Sequence, residues 1–583
     1  STSGSQTYTG AVTLGSDTIL TGGTQTLTNG SLSLAAVDGA YGLTLSNGAG
    51  SISLGAIGAD TALTRLTLQG TGNTTLSGDI TTIGAVDLKG TSRTVTFSAD
   101  RVIDSSGSNG AITLGAINSA YGLTLNSGAG SISLSGVGVG GTDALGGAIT
   151  ATPLAYLVLT GNGTTTLGGD ISVSGHHAAG LDLGSSRTAS LSASRTLGAG
   201  AGLINVGSVS LMANGVTLTL GDASSGNIRV GSVTGPATGL ANLTFNTSGT
   251  VDTTGAIETH IGTVWLNKTV GNVVFGGDLQ AVQLKMDAGA TYDLSLLGTN
   301  NSLAGFNTDT PFKTTGILTL GDAATDTFTY SGGALTLSYP SAIVIGGQIV
   351  TSTVSANAGG ITLGDADTAL SLAAAASLNA SASNSDIAVN HALTGHAQAL
   401  TLNAGTGSIN LTAALSNLAD LSLTANEIDW SGAVAGSGSL SIRPGTNTRT
   451  INLADATDAG SSTLDITAAE LNLLADGFTG MTFGGGSQSG AIYLRADHTF
   501  SDSVTFQTSG NSYLAGSFIG TGTASFTVLG ALLLNGADRT ITTDSGAVTL
   551  GSVDSDTNGV VGGLSTSIVF TTSQTWTVPN YVS

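Results

Sequence analysis

The stretch Ala40–Leu54, AYGLTLSNGAGSISL, sets the pattern from which the rest of the chain is varied. Its short strands, Leu43–Leu45 and Ile52–Leu54, place a polar residue between two apolar ones, with Gly, Ser and Asn connecting them. In an extended strand the first and third side chains share one face, while Thr44 or Ser53 points to the other. Strands this short cannot bury a core alone, so they must stack on copies of themselves.

Copies of this unit recur along the chain. Ala120–Leu134 reads AYGLTLNSGAGSISL and is nearly identical, and His396–Leu411 is a looser version. Shorter intervals of about 20–24 residues separate Leu43, Leu66 and Val86. Such short repeats, with glycine corners and no helical crossover, are typical of a β-solenoid. We therefore predict an all-β parallel β-helix with degenerate coils of about 20–24 residues, about 26 of them, in a rod about 120 Å long.

The repeats divide the predicted solenoid into regions of different regularity. We predict one continuous solenoid over the whole chain, with a long repeat period that corresponds to about four coils. The regions are 32–209 with the clearest repeats, 210–395 with looser ones, 396–553 where they return, and 567–583 as a C-terminal cap.

Three segments depart from the repeat and are predicted to differ in structure. Val137–Ala148, VGVGGTDALGGA, falls where a corner is expected and predicts a protruding loop. Thr291–Lys313 is less periodic and predicts a loop that leaves the stack. Ala468–Gly477, AAELNLLADG, has the composition of a short helix.

The composition excludes several classes of function. Only 9% of residues are charged, against about a quarter in typical globular domains. The net charge of −22 disfavours nucleic acid and anionic membranes as partners, although it is compatible with divalent cations. No apolar run is long enough for a transmembrane helix, so we predict a chain that does not span a membrane. The absence of cysteine excludes disulfides, thiolate metal sites and cysteine nucleophiles.

Catalytic and metal-binding motifs are weak. Polysaccharide hydrolases built on β-helices need clustered carboxylates, and Asn307–Asp309 matches one short motif of the polygalacturonase-like family. Its partner motifs Asp-Asp, Gly-His-Gly and Arg-Ile-Lys are missing, so we interpret the tripeptide as a turn. The pairs His176–His177 and His391/His396 have no further ligands at metal-binding spacing and are predicted to be exposed loop histidines.

An Arg-Thr pair recurs after glycine-containing turns, at Arg93, Arg187, Arg449 and Arg539. These arginines could form a recognition ladder. We favour a structural role, in which the aliphatic stem covers apolar surface and the guanidinium binds nearby carbonyl groups.

The sequence contains partial signals for two further types of site, an ice-binding threonine array and calcium sites at corner aspartates. Thr7–Thr9 and Thr24–Thr26 show the Thr-x-Thr pattern of an ice-binding array, but most coils offer a single outward Thr. The Gly-Gly-x-Gly-x-Asp repeat of calcium-binding β-rolls is absent, which leaves Ca²⁺ at a few corner aspartates as an open alternative. We predict no catalytic, cofactor-binding or metal-ligating residues.

The repeats resemble those of a known family. The segments Gln6–Leu20 (QTYTGAVTLGSDTIL), Gly42–Gly58 (GLTLSNGAGSISLGAIG) and Thr74–Ile80 (TTLSGDI) are similar to the repeat regions of large filamentous-haemagglutinin-like adhesins. These are bacterial surface exoproteins, often exported by two-partner secretion. The resemblance implies a right-handed β-helix that is secreted and acts as an adhesin or matrix fibre.

Together these observations predict a secreted structural or adhesive protein at the bacterial cell surface, not an enzyme. We expect an elongated rod that associates with itself into a filament, matrix fibre or surface layer, with carbohydrate or a cell surface as a further partner. The alternative is a polysaccharide-binding or polysaccharide-degrading protein on the same scaffold.

Overall fold

The computed structural model describes residues 4–21, 30–91, 93–142, 148–287, 289–305, 311–351, 359–458, 462–534, 539–555, 568–571, 576–577 and 580–581. The chain divides into two compact units, Ser1–Tyr292 and Asp293–Ser583. Nearly all of its strands pair in parallel, and together the two units hold about 22 stacked coils. The predicted all-β solenoid is therefore confirmed.

The first unit consists of short strands separated by turns, with a single 3₁₀ turn at Ser106–Ser108 among its described residues. Its strands are Gln6–Thr13, Thr18–Thr21, Leu32–Asp38, Gly42–Ser46, Ile52–Ile57, Arg65–Gln69, Thr74–Leu76, Ile80–Thr81, Val86–Asp87, Thr94–Phe97, Arg101–Asp104, Ile112–Ile117, Leu123–Asn126, Ile132–Val137, Gly141–Thr142, Ala148–Ile149, Leu157–Thr160, Thr164–Leu167, Ile171–Ser172, Leu181–Asp182, Thr188–Leu191, Arg195–Gly198, Ile204–Val206, Ser208–Leu211, Thr217–Leu220, Ile228–Val230, Val233–Thr234, Ala241–Phe245, Val251–Thr253, Ile257–Leu266, Val273–Phe275 and Leu279–Met286.

The second unit is built in the same way and adds a short α-helix, Ala468–Leu471. Its strands are Leu294–Leu296, Asn300–Leu303, Ile317–Leu320, Thr327–Tyr330, Leu335–Leu337, Ala342–Thr351, Ile361–Leu363, Ala369–Asn379, Ile387–Val389, Leu393–Asn403, Ser408–Leu411, Leu415–Thr424, Glu427–Trp430, Val434–Gly436, Ser439–Arg443, Thr450–Asp455, Thr463–Thr467, Gly480–Gly484, Ile492–Leu494, His498–Phe500, Val504–Gln507, Ser512–Leu514, Phe518–Gly520, Phe526–Leu534, Arg539–Thr543, Val548–Ser555, Ile568–Thr571, Trp576–Thr577 and Asn580–Tyr581.

The core is formed by apolar side chains inside the coils, mostly aliphatic with some buried phenylalanines such as Phe245 and Phe506. One column runs through Leu43, Leu66, Val86, Ile112 and Ile132, each paired in parallel with the next. All five side chains are at most 1% exposed. The backbone groups of each strand bond to the coils before and after it, so the short strands leave few polar groups unpaired. Burial of such side chains stabilises the fold by about 1.5–3 kcal/mol each.

Coil length varies more than predicted. Successive members of a column are close in sequence at Ile112 and Ile132, but much further apart at Leu123 and Leu157. A still longer interval separates Leu440 from Met481 in the second unit. Because these insertions use residues without adding regular coils, about 22 coils form where about 26 were expected.

The long repeat period is close to the predicted four coils but is not a whole number of them. Leu43 shares its column with Ile132 four coils later. The copy of Leu43 in the repeated sequence is Leu123, which pairs with Arg101 in a different column. Each coil in this region has three strand-bearing faces. The repeat period therefore covers three full coils and two faces of a fourth. The same sequence serves on different faces because each face needs only the same inward apolar pattern.

The irregular segments differ in outcome. Within Val137–Ala148, Gly141–Thr142 pairs antiparallel with Ala148–Ile149, so this segment leaves the parallel ladder as predicted, although residues 143–147 lie outside the described ones. The prediction for Thr291–Lys313 was wrong, because its strands Leu294–Leu296 and Asn300–Leu303 pair with strands of the next coil. Both strands alternate inward and outward residues over three or four positions. The segment as a whole is less periodic, and for that reason the two strands were not predicted.

In the segments predicted as a helix and as a C-terminal cap, regular structure is described over part of each range. The helix predicted within Ala468–Gly477 forms only over Ala468–Leu471, opened by a capping box between Thr467 and Glu470. In the predicted cap 567–583, the described strands pair in parallel with the preceding coil, while the remaining residues lie outside the described ones. Within the described residues, no helix has the length and apolar character needed to cross a membrane.

Candidate functional site

Two of the four predicted arginines are buried at corners of the first unit. Arg93 is 0% exposed and Arg187 is 1% exposed. The corner beneath Arg93 is the turn at Asn47–Gly50, in which Gly48 has a φ of +59°. Asn47 Nδ2 donates to the carbonyl oxygen of Gly50 at 2.7 Å. Turns of this kind turn carbonyl groups toward the interior, where they need donors.

Arg93 supplies several of these donors. Its guanidinium donates to the carbonyl oxygens of Gly72 at 2.8 Å and Gln69 at 2.9 Å, and to Asn47 Oδ1. One side chain thus joins the corners of two successive coils. Burial lowers the pKa of Arg93 to about 10, which still leaves it charged at neutral pH.

Arg187 repeats the arrangement further along the first unit. It donates to the carbonyl oxygens of Thr160 at 2.9 Å and Gly130 at 3.0 Å, and to Ser127 Oγ at 3.2 Å. Burial lowers its pKa as well. For Arg93 and Arg187 the predicted structural role is confirmed, and both side chains are closed to an external ligand.

The other two arginines lie in different surroundings. Arg539 is half-buried, and its Nε donates to the carbonyl oxygen of Leu514. Arg101 and Arg195 make the same contact with Leu76 and Leu167. Neither was among the four predicted arginines, although Arg195 also precedes a threonine. Arg449 lies in an insertion of the second unit, where it donates to the carbonyl oxygen of Thr463 at 2.8 Å.

The histidine predictions are confirmed only in part. His176 and His177 are exposed outside strands, as predicted, whereas His396 is exposed but lies within the strand Leu393–Asn403 and His391 is half-buried. No described histidine belongs to a group of three ligand side chains close enough to hold a metal ion. Asn307–Asp309 and Thr24–Thr26 lie outside the described residues.

The insertion around Arg449 changes the order of strands in the second unit. Thr463–Thr467 lies beside Glu427–Trp430 and pairs in parallel with Thr450–Asp455. Thr450–Asp455 in turn pairs with Ile492–Leu494 of the next coil. The later strand of the chain therefore occupies the earlier position in the stack. The helix Ala468–Leu471 follows directly and packs against both inserted strands.

This insertion brings acidic side chains together. Glu427 and Asp429 alternate with the buried Ile428 and Trp430, so both carboxylates lie on the outer face of their strand. Their carboxylate oxygens and one of Asp458 lie within 4.8 Å of one another. Elsewhere in the described ranges no other three acidic or histidine side chains come so close. We call Glu427, Asp429 and Asp458 the acidic cluster.

Two further acidic residues, Asp465 and Glu470, bond to the elements that flank the cluster. Asp465 is 3% exposed and accepts from Asn452 Nδ2 at 2.6 Å and from Thr463 Oγ1 at 2.9 Å. Glu470 caps the short helix by accepting from the backbone N–H of Thr467 at 2.8 Å. The indole Nε1 of Trp430 donates to the carbonyl oxygen of Glu470 at 2.7 Å, which ties the helix to the strand of the cluster.

Glu427 and Asp429 of the cluster bind protons more tightly than isolated carboxylates do. Partial burial, with the nearby charges of Asp458, Asp429 and Asp465, raises the pKa of Glu427 to about 7, although Arg449 opposes the rise. Partial burial and a hydrogen bond with Asp458 raise the pKa of Asp429 to about 7 as well. Glu427 and Asp429 can therefore each hold a proton near neutral pH.

The donor set also suits a hard cation. Carboxylate oxygens are the ligands preferred by Ca²⁺ and Mg²⁺, so Glu427, Asp429 and Asp458 could hold such an ion. Sequence reasoning missed the cluster because its members lie on a strand and on a loop that are distant along the chain. The one available signal was the rarity of glutamate, since two of the three glutamates, Glu427 and Glu470, lie here.

Comparison of the chain with protein-family models, with curated proteins and with solved structures finds no match. The function therefore has to be argued from the fold and the geometry of its sites.

Proposed function

We propose that this chain is a secreted structural or adhesive protein of the bacterial cell surface, built to assemble with copies of itself. The observation that carries the proposal is that both units consist of stacked parallel coils around a buried apolar interior. Such coils repeat without closing around a single binding pocket, so they expose long faces rather than one site. The similarity of the repeats to filamentous-haemagglutinin-like adhesins supports the same role.

The outer faces favour contact between copies. Residues that point outward from the strands are mostly Thr, Ser and Asn, as at Thr44, Ser53 and Thr67. With 9% of residues charged, two such faces can approach with little electrostatic repulsion per unit area. We propose that lateral association produces a filament, matrix fibre or surface layer.

Negative-stain electron microscopy and light scattering of the purified chain test this assembly. A dilution series from high to low protein concentration, with and without Ca²⁺, should show filaments or sheets that dissociate into single particles. Particles that stay monodisperse at every concentration contradict the assembly. Protease treatment of intact source cells tests the location, because a surface protein is digested while an internal marker stays intact.

A second candidate function rests on the acidic cluster. A carboxyl group with a pKa near 7 beside another carboxylate is the pair that glycoside hydrolysis uses, with one group as acid and the other as base or nucleophile. Incubation with hexagalacturonate or alginate oligosaccharides at pH 5 to 7, followed by mass spectrometry, detects cleavage. Products that disappear in both Glu427→Gln and Asp429→Asn would establish hydrolysis, and intact substrates in every sample exclude it for these sugars.

A further inference from the structure

A depression of about 490 Å³ lies on the outer face of the first unit. It is formed by outward side chains of four strands that stack on successive coils: Thr217–Leu220, Ala241–Phe245, Ile257–Leu266 and Leu279–Met286. Its lining residues are Thr217, Thr219, Asn242, Thr244, Thr263, Trp265, Asn267, Gln283 and Lys285. We call this depression the tryptophan groove. Its volume is within the range of small-molecule sites.

Trp265 is held in a fixed orientation. Its indole Nε1 donates to Asp287 Oδ1 at 3.1 Å. Lys285, the partner of Trp265 on the next coil, places its Nζ 4.0 Å from the ring centroid and covers one indole face. The partner on the preceding coil is Thr244, whose short side chain leaves room beside the opposite face.

The floor of the groove is low because small residues precede the tryptophan. Thr219 and Thr244 stack in the same column as Trp265. Thr244 points outward between the inward Leu243 and Phe245, yet it is only 7% exposed. The indole therefore forms an end wall above a polar floor, so that a planar apolar surface faces into the groove.

The side walls offer both donors and acceptors. Asn242 Oδ1 accepts from the backbone N–H of Thr263 at 3.0 Å, and its NH₂ group is not used in a hydrogen bond among the described residues. Asn267 Nδ2 donates to Asn246 Oδ1 at 3.3 Å. The side-chain Oδ1 of Asn267 accepts no hydrogen bond among the described residues. Thr hydroxyls can act in either role. The lining therefore matches a ligand whose groups both donate and accept.

Sugars have this combination of groups. Each hydroxyl donates and accepts, while the C–H face of a pyranose ring is apolar and stacks on an aromatic ring. The carboxylate of Asp287 beside Trp265 and the net charge of −22 weigh against an acidic ligand. We infer that the tryptophan groove binds a neutral oligosaccharide. This inference rests on the proposed adhesive function and names its chemical partner.

The groove also fits the shape of a chain ligand. Three coils at a spacing of about 4.8 Å give about 10 Å between the row of Thr219 and the row of Trp265. An oligosaccharide lying along this direction passes Thr219 and Thr244 and ends against the indole of Trp265, because Lys285 covers the other face of the ring. Binding therefore requires several linked sugar units, and single sugars are expected to bind weakly.

Titration of the purified full chain with defined sugars tests the inference. The neutral probes are cellohexaose, laminarihexaose, maltohexaose and mannohexaose, and the acidic probes are hexagalacturonate and a heparin-derived hexasaccharide. Isothermal titration calorimetry should detect at least one neutral probe. Trp265→Ala should weaken that binding about tenfold or more, since the stacking surface is lost. Trp265→Phe keeps an aromatic ring and should retain most of the affinity.

A second variant blocks the groove without removing the tryptophan. Thr244→Leu places a longer side chain against the free indole face and should weaken binding about as much as Trp265→Ala. Tyr121→Ala, at an exposed position far along the chain, is the matched control and should leave affinity unchanged. Melting curves of all variants verify folding.

Three results would overturn the inference: no neutral probe binds, only acidic probes bind, or Trp265→Ala and Thr244→Leu bind as tightly as the parent. These results leave the proposed function untouched if the chain still assembles under the electron microscope. Loss of assembly with intact sugar binding would instead contradict the proposed self-association alone.

Discussion

The Arg-Thr element occurs in two regions of the molecule with different outcomes. At Arg93 and Arg187 in the first unit, the side chain is buried and its guanidinium binds carbonyl groups of stacked corners. At Arg449 in the second unit, it is half-buried and lies near the carboxylate of Glu427 in an insertion. The same short sequence therefore binds stacked corners in one region, whereas in the other its guanidinium binds one carbonyl group and also lies near the acidic cluster.

The difference shows how the corner carbonyl groups of regular coils obtain their hydrogen-bond donors. Where one corner lies above another, the carbonyl groups of both turn toward the same interior space, and a single arginine satisfies them. Where an inserted strand separates the coils, that stack of corners is interrupted and acidic side chains that are distant along the chain come together. Candidate chemistry is therefore expected where a coil is much longer than its neighbours, as between Leu440 and Met481.

The largest expected effect is the loss of a corner arginine. Arg93→Ala leaves the carbonyl oxygens of Gly72 and Gln69 buried without their donor, and we expect a loss of about 3 kcal/mol or more in the free energy of unfolding. Arg93→Lys should recover little, because one ammonium group cannot reach the same set of acceptors. Guanidinium denaturation followed by circular dichroism measures both variants.

Arg187→Ala is the matched variant in a later coil and should cost a similar amount, since its contacts repeat those of Arg93. A loss below about 1 kcal/mol in both variants would mean that water replaces the guanidinium, and the structural role would be contradicted.

The sequence was sufficient to predict the coil and two of its irregular segments, but not the face on which each repeat lies or the strand order within the long insertion. Alternation at Leu43–Leu45 and Ile52–Leu54 correctly predicted inward and outward faces, because the two-residue period of a strand is local. It could not show that Leu43 and its copy Leu123 lie on different faces, since three similar faces accept the same pattern.

The acidic cluster could not be predicted for a related reason. Glu427 and Asp458 meet only because Thr463–Thr467 occupies a position in the stack before Thr450–Asp455, reversing the chain order. Strand pairing of this kind depends on packing of the whole insertion. The tryptophan groove likewise depends on register, which aligns Thr244 with Trp265 although they belong to different coils.

A medium effect is expected from the charge state of the acidic cluster. Glu427 and Asp429 have folded-state pKa values of about 7, above the ordinary values of 4.5 and 3.8. Between those values the folded chain binds more protons than the unfolded one, so stability should fall as the pH rises from about 4 to about 8. Because both side chains are only half-buried, we expect about 1–2 kcal/mol in total.

The double variant Glu427→Gln, Asp429→Asn tests the sign. It should be more stable than the parent at pH 8 and should lose this part of the pH dependence, as measured by melting temperature from pH 4 to pH 9. The exposed Glu258→Gln in the first unit is the control and should leave the slope unchanged. A parent chain that becomes more stable as the pH rises over this interval would contradict the raised pKa values.

The smallest effect is expected for an arginine outside the corners. Arg65 pairs with Asp17 at 3.1 Å, but the two side chains are 52% and 57% exposed. Solvent screens such a pair and ordering it costs side-chain entropy, so Arg65→Ala should change the free energy of unfolding by about 0.5 kcal/mol or less. The ratio of the Arg93→Ala effect to this one measures how much the stacked corner adds to the same residue type. Equal effects for the two arginines would show that burial at the corner contributes nothing, and the distinction between the two regions would fail.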